Sequence, residues 1–441
     1  MPHRHSHEAP WLRQLRQGAR DASRAWDLLV SLNDDVGPRF TGTPGEAAGV
    51  AWALAAAGRA GLANVRTEPA ECTRWERGAA RADILEPTSQ AIVVAALGGS
   101  VPTPAGGLEA ELVVVPSLDA LHQLGRAGVE GRIVYIHHLM PRLRDGTGYN
   151  HGGYLRAHAT SHAARLGAVG CLVRSIATSA TRAPHVGMLF YESDAPHIPA
   201  AAVCVPDGDL LARLAASGRR VRVRLELGCR SLPSGTGHNV LAEVPGTDLA
   251  HEIVLFGAHL DTWDLGRGAL DDGAGCVLAL ETARLVSELP VRPRRTVRIA
   301  LFANEELGSG GGHAYAAAHK DEAGQHFVAL EADQGDGKPW ALRMPEGQAQ
   351  SAAARHLHSA LGPLGIALDP GGARGGVDIQ PLRGLGVPFF DLRQDATRYF
   401  DFHHSANDVL ENVSREDLDH AVAGFAVAVA VLAHMSENLR G

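Results

Sequence analysis

The chain has 441 residues, a formal net charge of −8 at pH 7 and 45% hydrophobic residues. This length exceeds what one ordinary hydrophobic core needs, so it predicts a globular protein of two or three domains. The negative charge, without a clustered basic face, argues against nucleic acid as a partner. Five widely spaced cysteines without a CxxC pair argue against a disulfide framework.

The N-terminal sequence MPHRHSHEAPWLRQLRQ carries charges and histidines but no apolar stretch of the kind found in signal peptides. We therefore expect a cytoplasmic location. No stretch of the sequence resembles a membrane span, and we expect no membrane partner. His3, His5 and His7 are expected to belong to a polar tail rather than to a metal site.

Apolar strands and helical segments follow one another along the chain. Residues 1–105 begin with helical runs such as GEAAGVAWALAAAGRAGL and continue with the β-like alternation of VRTEPAECTRWERG. Residues 106–232 combine short apolar strands with helices and predict a compact α/β insert. In residues 233–441 the strands EIVLFGAH, TVRIALF and HFVALEA alternate with helices. This alternation predicts an α/β fold with a mostly parallel twisted sheet and helices on both faces.

Three of the predicted strands end in side chains that can bind metals. His259 and Asp261 follow EIVLFGA, Glu305 and Glu306 follow VRIALFAN, and Asp333 closes HFVALEA. In open α/β sheets, ligands bind beyond the carboxyl ends of the strands. We therefore expect these side chains to converge there, together with acids of the loop GALDDGAG and histidines of FHHSANDV.

The residue types suit two zinc ions. Zinc binds imidazole nitrogen and carboxylate oxygen, and two zinc ions held close together need a bridging carboxylate. We expect His259 and Asp333 to bind one ion, Glu306 and His404 to bind the other, and Asp271 to bridge them. Mn²⁺ or Co²⁺ would also suit such mixed ligands.

Three further acids are expected to assist this centre. Glu305, next to a ligand, would act as the general base that moves a proton from water to the leaving amine. Asp261 is expected to accept the second ring N–H of His259, and Asp408 to support His404 in the same way. Asp378 precedes a short helix and is expected to cap it.

Other patterns point to ordinary surface residues or are absent. The histidines outside the metal set lack the glutamate of an HExxH motif and are expected on the surface: His137, His138, His158 and His162. The sequence has neither a GxSxG nucleophile elbow nor a cysteine in a recognisable nucleophile motif.

The runs HLDTWDLGRGALDDGAG, NEELGSGG, LEAD and FHHSANDV resemble the co-catalytic zinc aminopeptidases and carboxypeptidases. The resemblance extends through GPRFTGTPG, RWERG and LVRSIATSATRAPHVG. It implies a zinc-exopeptidase fold, a protease-associated insert at residues 106–232, two Zn²⁺ ions per chain and a homodimer. It also implies Glu305 as the base, and as metal ligands His259, Asp271, Glu306, Asp333 and His404.

The resemblance also indicates which residue of two neighbouring pairs, Asp271–Asp272 and His403–His404, is the metal ligand. Asp271 rather than Asp272 matches the bridging position, and His404 rather than His403 matches the ligand. His403 then stands just before a ligand, where we expect it to stabilise the oxyanion.

The expected activity is that of a zinc-dependent exopeptidase acting on dipeptides or short peptides with free termini. A hydroxide between the two zinc ions would attack the carbonyl, with Glu305 carrying the proton. Arg374, Arg393 and Arg398 are candidates for binding the terminal carboxylate of the peptide. The alternatives are a di-metal amidohydrolase acting on N-acyl amino acids, a zinc transferase such as a glutaminyl cyclase, and a catalytically silent binding protein on the same fold.

Overall fold

The computed structural model describes residues 9–440, so His3, His5 and His7 lie outside the described part. The helices of this part are α1 (Pro10–Asp21), α2 (Ala25–Ser31), α3 (Pro44–Arg59), α4 (Leu118–Val129), α5 (Gly148–Arg165), α6 (Val205–Ala216), α7 (Ala274–Ser287), α8 (Gly310–Ala318), α9 (Ala352–Leu361), α10 (Gln380–Arg383) and α11 (Arg415–His434).

The strands of the same residues form three sheets. They are β1 (Ala63–Glu76), β2 (Ala80–Glu86), β3 (Gln90–Ile92), β4 (Val94–Ala96), β5 (Leu108–Val115), β6 (Ile133–Ile136), β7 (Gly170–Arg174), β8 (Ala200–Val203), β9 (Arg222–Leu227), β10 (Arg230–Val244), β11 (Leu249–His259), β12 (Arg295–Phe302), β13 (His326–Glu331), β14 (Pro339–Arg343), β15 (Ala367–Asp369) and β16 (Asp391–Gln394).

The first sheet has the order β1-β10-β12-β11-β13, and three of the predicted metal ligands lie at or just beyond the carboxyl ends of its strands. β11 runs parallel to β12 and β13, whereas β10 runs antiparallel to β1 and β12. The predicted α/β class is confirmed, and this sheet is mixed, with its parallel part at β12-β11-β13. The carboxyl ends of these three strands therefore lie side by side.

Helices cover both faces of the first sheet, as predicted. On one face, Phe256 of β11 stacks on Phe425 of α11, with ring centroids 5.0 Å apart. On the other face, Phe302 of β12 packs edge-on against Tyr315 of α8 at 5.8 Å. Successive side chains of β11 pack into two different hydrophobic clusters, one on each face of the sheet, because residues of a strand point alternately to its two faces.

Helix α11 has the length and apolarity of a membrane span, which the sequence analysis did not anticipate. However, 78% of its most apolar window is buried inside the molecule. It packs against α1, α7 and α9. These contacts are typical of the central helix of a protein core.

The second sheet has eight strands in the order β3-β2-β9-β5-β6-β7-β8-β4. Its centre, β5-β6-β7-β8, is parallel. The sheet already begins at Ala80, because β2 pairs with β9 and β4 pairs with β8, both in the middle segment, while β3 pairs with β2. The division into residues 1–105, 106–232 and 233–441 remains a prediction. A small third sheet has the order β15-β14-β16.

Candidate metal centre

The five predicted ligands come together beyond the carboxyl ends of β11, β12 and β13. His259 is the last residue of β11, Glu306 lies in the turn after β12, and Asp333 follows β13 by two residues. Asp271 lies in the turn that leads into α7, and His404 lies in the loop between β16 and α11. The strand-end argument thus gave three of the five positions, and loops supply the other two.

The carboxylate of Asp271 stands between two groups of ligand atoms. Its Oδ1 lies 3.1 Å from Nε2 of His259, and this nitrogen lies 3.6 Å from Oδ1 of Asp333. Its Oδ2 lies 3.1 Å from Nε2 of His404, and this nitrogen lies 2.9 Å from Oε2 of Glu306. One carboxylate therefore faces two clusters, which is the arrangement that a bridging ligand requires.

Both imidazole rings are held in the tautomer that a metal needs. Nδ1 of His259 lies 3.0 Å from the backbone oxygen of Asp261, and Nδ1 of His404 lies 3.1 Å from that of Val186. A carbonyl oxygen can only accept, so Nδ1 carries the proton in each ring. The lone pair of Nε2 then points into the cluster.

Two carboxylate oxygens of this centre lack a hydrogen-bond donor within the described part of the chain. They are Oδ2 of Asp271 and Oε1 of Glu306, both buried. A buried carboxylate oxygen without a donor is costly unless a cation compensates for it. The donor set of imidazole nitrogens and carboxylate oxygens fits zinc or a similar divalent ion.

Asp272 turns away from the centre, in agreement with the choice of Asp271. Its Oδ2 accepts the backbone N–H of His259 at 3.1 Å, and its Oδ1 accepts that of Gly275 at 3.0 Å. The peptide bond between the two aspartates is cis. Asp272 thereby links the end of β11 to the start of α7.

The carboxylate of Asp261 has other partners than the sequence predicts. Its Oδ1 accepts the N–H of Glu305 at 2.9 Å, and its Oδ2 accepts that of Glu306 at 3.3 Å. Oδ1 lies 3.7 Å from Nδ1 of His259, farther than the backbone oxygen of Asp261 that accepts from this nitrogen. The turn after β11 places that carbonyl beside the ring, so the carboxylate positions the two glutamates.

Asp408 supports Asp271 rather than His404, which corrects the prediction. Its two oxygens accept the backbone N–H groups of Leu270 at 2.6 Å and of Asp271 at 3.1 Å. His404 has a left-handed backbone, with φ 58°, and its ring N–H is taken by Val186. Burial, together with the charge of Asp271, raises the pKa of Asp408 to about 7.

A short segment between β7 and β8 holds the histidine pair in place. Nδ1 of His185 lies 2.6 Å from the backbone oxygen of His403, and the N–H of Val186 donates to the oxygen of His404 at 2.9 Å. Burial lowers the pKa of His185 to about 4, so its ring is neutral. No local motif identifies these residues, because they are 218 positions away from the histidines that they contact.

Glu305 and His403 flank the centre. Burial, with the charges of Glu306 and Asp333, raises the pKa of Glu305 well above its ordinary value. The ring of His403 stacks on that of His404 at 3.5 Å, and its Nε2 lies 3.6 Å from Oδ2 of Asp271. Burial lowers the pKa of His403 well below its ordinary value. A cation bound here would favour the charged forms of the carboxylates.

A cavity of about 580 Å³ opens onto these residues and contains two of the three candidate arginines. Arg393 is paired with Asp369 at 3.1 Å and with Asp145 at 3.3 Å. Arg374 has no carboxylate partner within residues 9–440. Arg398 is not among the residues that line the cavity. Arg374 is therefore the candidate with a free positive charge.

Asp378 does not cap α10, which corrects the prediction. The helix has no side-chain cap, and both carboxylate oxygens of Asp378 are buried without a hydrogen-bond partner among the described residues. Instead, the backbone N–H groups of Asp378 and Ile379 donate to Glu331 at 3.4 and 3.0 Å. The carboxylate that accepts at this end of the helix thus comes from β13.

The histidines expected on the surface lie on the second sheet and its helices, and their exposure varies. His158 and His162 of α5 are partly exposed and lie near Glu192. His137 pairs with Asp209 at 3.1 Å. His138 is only partly exposed, and its Nε2 has no hydrogen-bond partner in the described part.

The sequence pattern of peptidase family M28 matches residues 239–429. Carboxypeptidase Q of Mus musculus is 34% identical over 417 residues, which cover 95% of this chain and 87% of that protein. Carboxypeptidase Q of Homo sapiens is 33% identical over 419 residues, with the same coverage.

Among solved structures, a peptidase M28 precursor from Shewanella amazonensis SB2B has a TM-score of 0.94 and 40% identity, covering 98% of this chain and 97% of that chain. A zinc aminopeptidase from Bacillus subtilis, 20% identical with a TM-score of 0.68 and covering 95% and 96% of the two chains, shares the fold. The chain therefore belongs to peptidase family M28 and is a carboxypeptidase Q-like metallo-exopeptidase.

Proposed function

We propose that this exopeptidase uses two zinc ions per chain to hydrolyse dipeptides or short peptides with free termini. The observation that carries the proposal is the position of Asp271, whose two oxygens each face a separate group of ligand atoms. His259 and Asp333 would hold one ion, and His404 and Glu306 the other. Bound zinc would polarise the peptide carbonyl and make water more acidic.

Glu305 is the proposed general base. It lines the cavity, and the bond from its N–H to Asp261 fixes its backbone. Its carboxylate would take the proton from the attacking water and pass it to the leaving amine nitrogen. The carboxylate would hold this proton between the two steps.

His403 is proposed to donate a hydrogen bond to the reacting carbonyl oxygen, because its ring lies against the centre and its Nδ1 has no partner in the described structure. Arg374 is proposed to bind the terminal carboxylate of the substrate. The cavity volume lies within the range that small ligands occupy. A homodimer and a cytoplasmic location stay predictions.

The test combines zinc content by elemental analysis with hydrolysis of a panel of dipeptides. Glu305→Gln should bind zinc like the wild type and cleave no dipeptide. The matched control is Glu130→Gln, an exposed change just after α4 that should leave both properties unchanged. Absence of bound metal after reconstitution with zinc would overturn the proposal. Cleavage of N-acyl amino acids but of no dipeptide would favour the amidohydrolase alternative.

The role of His403 is tested with His403→Ala. A loss in kcat at similar KM is expected, because the proposed bond strengthens as negative charge develops. A raised KM with an intact kcat would contradict it.

A further inference from the structure

Arg156 of α5 is a buried cation in the wall of the cavity. It is 9% exposed, and no carboxylate of residues 9–440 forms an ion pair with it. It donates from Nη1 to the hydroxyl of Tyr149 and to the backbone oxygen of Val186, while its Nε has no partner in the described part of the chain. A buried guanidinium without a carboxylate is costly. This arrangement indicates a place where negative charge arrives during function.

The surrounding backbone is built to receive this guanidinium. Gly187 has φ 140°, and a Cβ at this position would lie 2.1 Å from Cζ of Arg156. The carbonyl of Val186, which accepts from Arg156, also accepts from the ring of His404. Arg156 is therefore anchored on the segment that orients a predicted metal ligand.

Tyr149, near the start of α5, is partly exposed and lines the same cavity. Its ring stacks on Phe400 at 4.9 Å and meets His403 edge-on at 5.0 Å, so its orientation is fixed from two sides. Its hydroxyl accepts from Arg156, and its own proton has no acceptor among the described residues. Tyr149 lines the cavity together with Glu305 and His404. A hydrogen-bond donor without a partner thus faces the space where a substrate would bind.

We propose that Tyr149, polarised by Arg156, donates a hydrogen bond to the carbonyl oxygen of the scissile peptide bond as negative charge develops there. This inference rests on the proposed function and makes Tyr149 a second donor beside His403. The proton stays on the tyrosine oxygen, so no bond of Tyr149 forms or breaks. A donor that is itself hydrogen-bonded to a cation is stronger than an isolated hydroxyl.

The charge of Arg156 makes this interaction selective for the transition state. A neutral carbonyl gains little from a nearby guanidinium, whereas an oxyanion gains much, since no carboxylate of the described protein neutralises Arg156. Binding of a substrate carboxylate by Arg156 would instead act equally in the ground state and the transition state. Loss of oxyanion stabilisation would lower kcat, whereas loss of ground-state binding would raise KM.

The experiment uses Tyr149→Phe and Arg156→Lys, with Tyr154→Phe as control. Tyr154 lies on the same helix, is 52% exposed and does not line the cavity. For each variant, kcat and KM are measured on a dipeptide that the wild type cleaves, together with the zinc content. Calorimetry then gives the affinity for a phosphinic dipeptide analogue, whose tetrahedral oxygens resemble the oxyanion, and for the product amino acid.

Tyr149→Phe should lower kcat by about 10²–10³-fold, the cost of losing one oxyanion donor, with unchanged zinc content and a similar KM. Its affinity for the phosphinic analogue should fall, while its affinity for the amino acid should not. Arg156→Lys, which keeps the charge but not the planar donor geometry, should show a smaller loss of the same kind.

A kcat of Tyr149→Phe that stays close to the wild-type value would overturn the inference. A raised KM at constant kcat would also overturn it and assign the pair to ground-state binding. If the wild type itself cleaves no peptide, the proposed function fails, whereas an active wild type with an equally active Tyr149→Phe variant rejects this inference alone.

Discussion

Replacing Asp261 by asparagine tests how the metal centre is supported. Asp261 is 1% exposed, and its carboxylate accepts the N–H groups of Glu305 and Glu306 and the hydroxyl of Thr41. Asparagine keeps the shape but turns one acceptor oxygen into an NH₂ donor. In either orientation of the amide, one buried backbone N–H then faces a donor.

The size of the effect follows from these contacts. Losing a hydrogen bond to a charged acceptor costs about 1.5–3 kcal/mol, and the orphaned N–H adds about 1–3 kcal/mol. The turn that carries Glu305 and Glu306 would shift, and loss of such a supporting residue lowers metal affinity by about 10–100-fold. His259 keeps its bond to the backbone oxygen of residue 261. The loss should therefore fall mainly on the ion that Glu306 and His404 are proposed to hold.

The assay is a zinc titration in competition with a chelator, with thermal unfolding measured in parallel. Asp261→Asn should show one zinc ion bound more weakly and a lower Tm. Thr41→Val is the matched control, because it removes one contact to the same carboxylate and leaves both backbone N–H bonds. It should cost at most about 1 kcal/mol. Equal weakening of both ions would refute this reasoning and restore the role of Asp261 as the partner of His259.

Three further changes test other parts of the structure. Arg374→Met should raise KM by about 10–100-fold for a dipeptide with a free carboxylate, as expected for a lost charged hydrogen bond, and should not affect the corresponding dipeptide amide; equal KM changes would contradict this. Burial lowers the pKa of His326 to about 4, so the unfolded chain binds a proton first as pH falls below about 6.5. The wild type should then lose about 2 kcal/mol between pH 7.5 and 5 relative to His326→Asn, and parallel Tm profiles of the two proteins would contradict this. Glu281→Gln leaves the buried Arg284 without its buried partner and should cost about 3–5 kcal/mol, whereas Glu288→Gln, which removes the exposed partner of the same arginine, should cost at most about 1 kcal/mol; similar Tm values for both variants would refute the distinction.

The convergence of the predicted metal ligands could be expected from the sequence because a general rule governs it. Parallel strands that lie side by side bring their carboxyl ends to one edge, so His259, Glu306 and Asp333 had to converge once their strands were recognised. Asp271 and His404 lie in loops, where spacing alone does not choose between neighbouring residues. Their assignment needed the family resemblance, and the contacts of Asp272 with backbone N–H groups agree with it.

The hydrogen bonds that support the predicted ligands could not be predicted from the sequence in this way. Asp261 and Asp408 were expected to serve the two histidines, yet both accept backbone N–H groups. The sequence shows which side chains are near in the chain, but the loop conformation decides whether a carbonyl or a carboxylate reaches a ring nitrogen. The left-handed backbone of His404, which turns its ring towards Val186, is such a local choice.

The role of the second sheet follows from tertiary contacts alone. Tyr149 and Arg156 are seven residues apart in α5, two helical turns, so they share one face of that helix. From the sequence alone, this spacing shows only that the two side chains share a helix face, and it does not show what that face contacts. The fold shows the contacts of this helix face, because residues 185–187 contact the His403–His404 pair on one side and Arg156 on the other. The segment that contacts the predicted metal ligand His404 thus also contacts Arg156, so α5 and the loop between β7 and β8 supply part of the wall of the cavity.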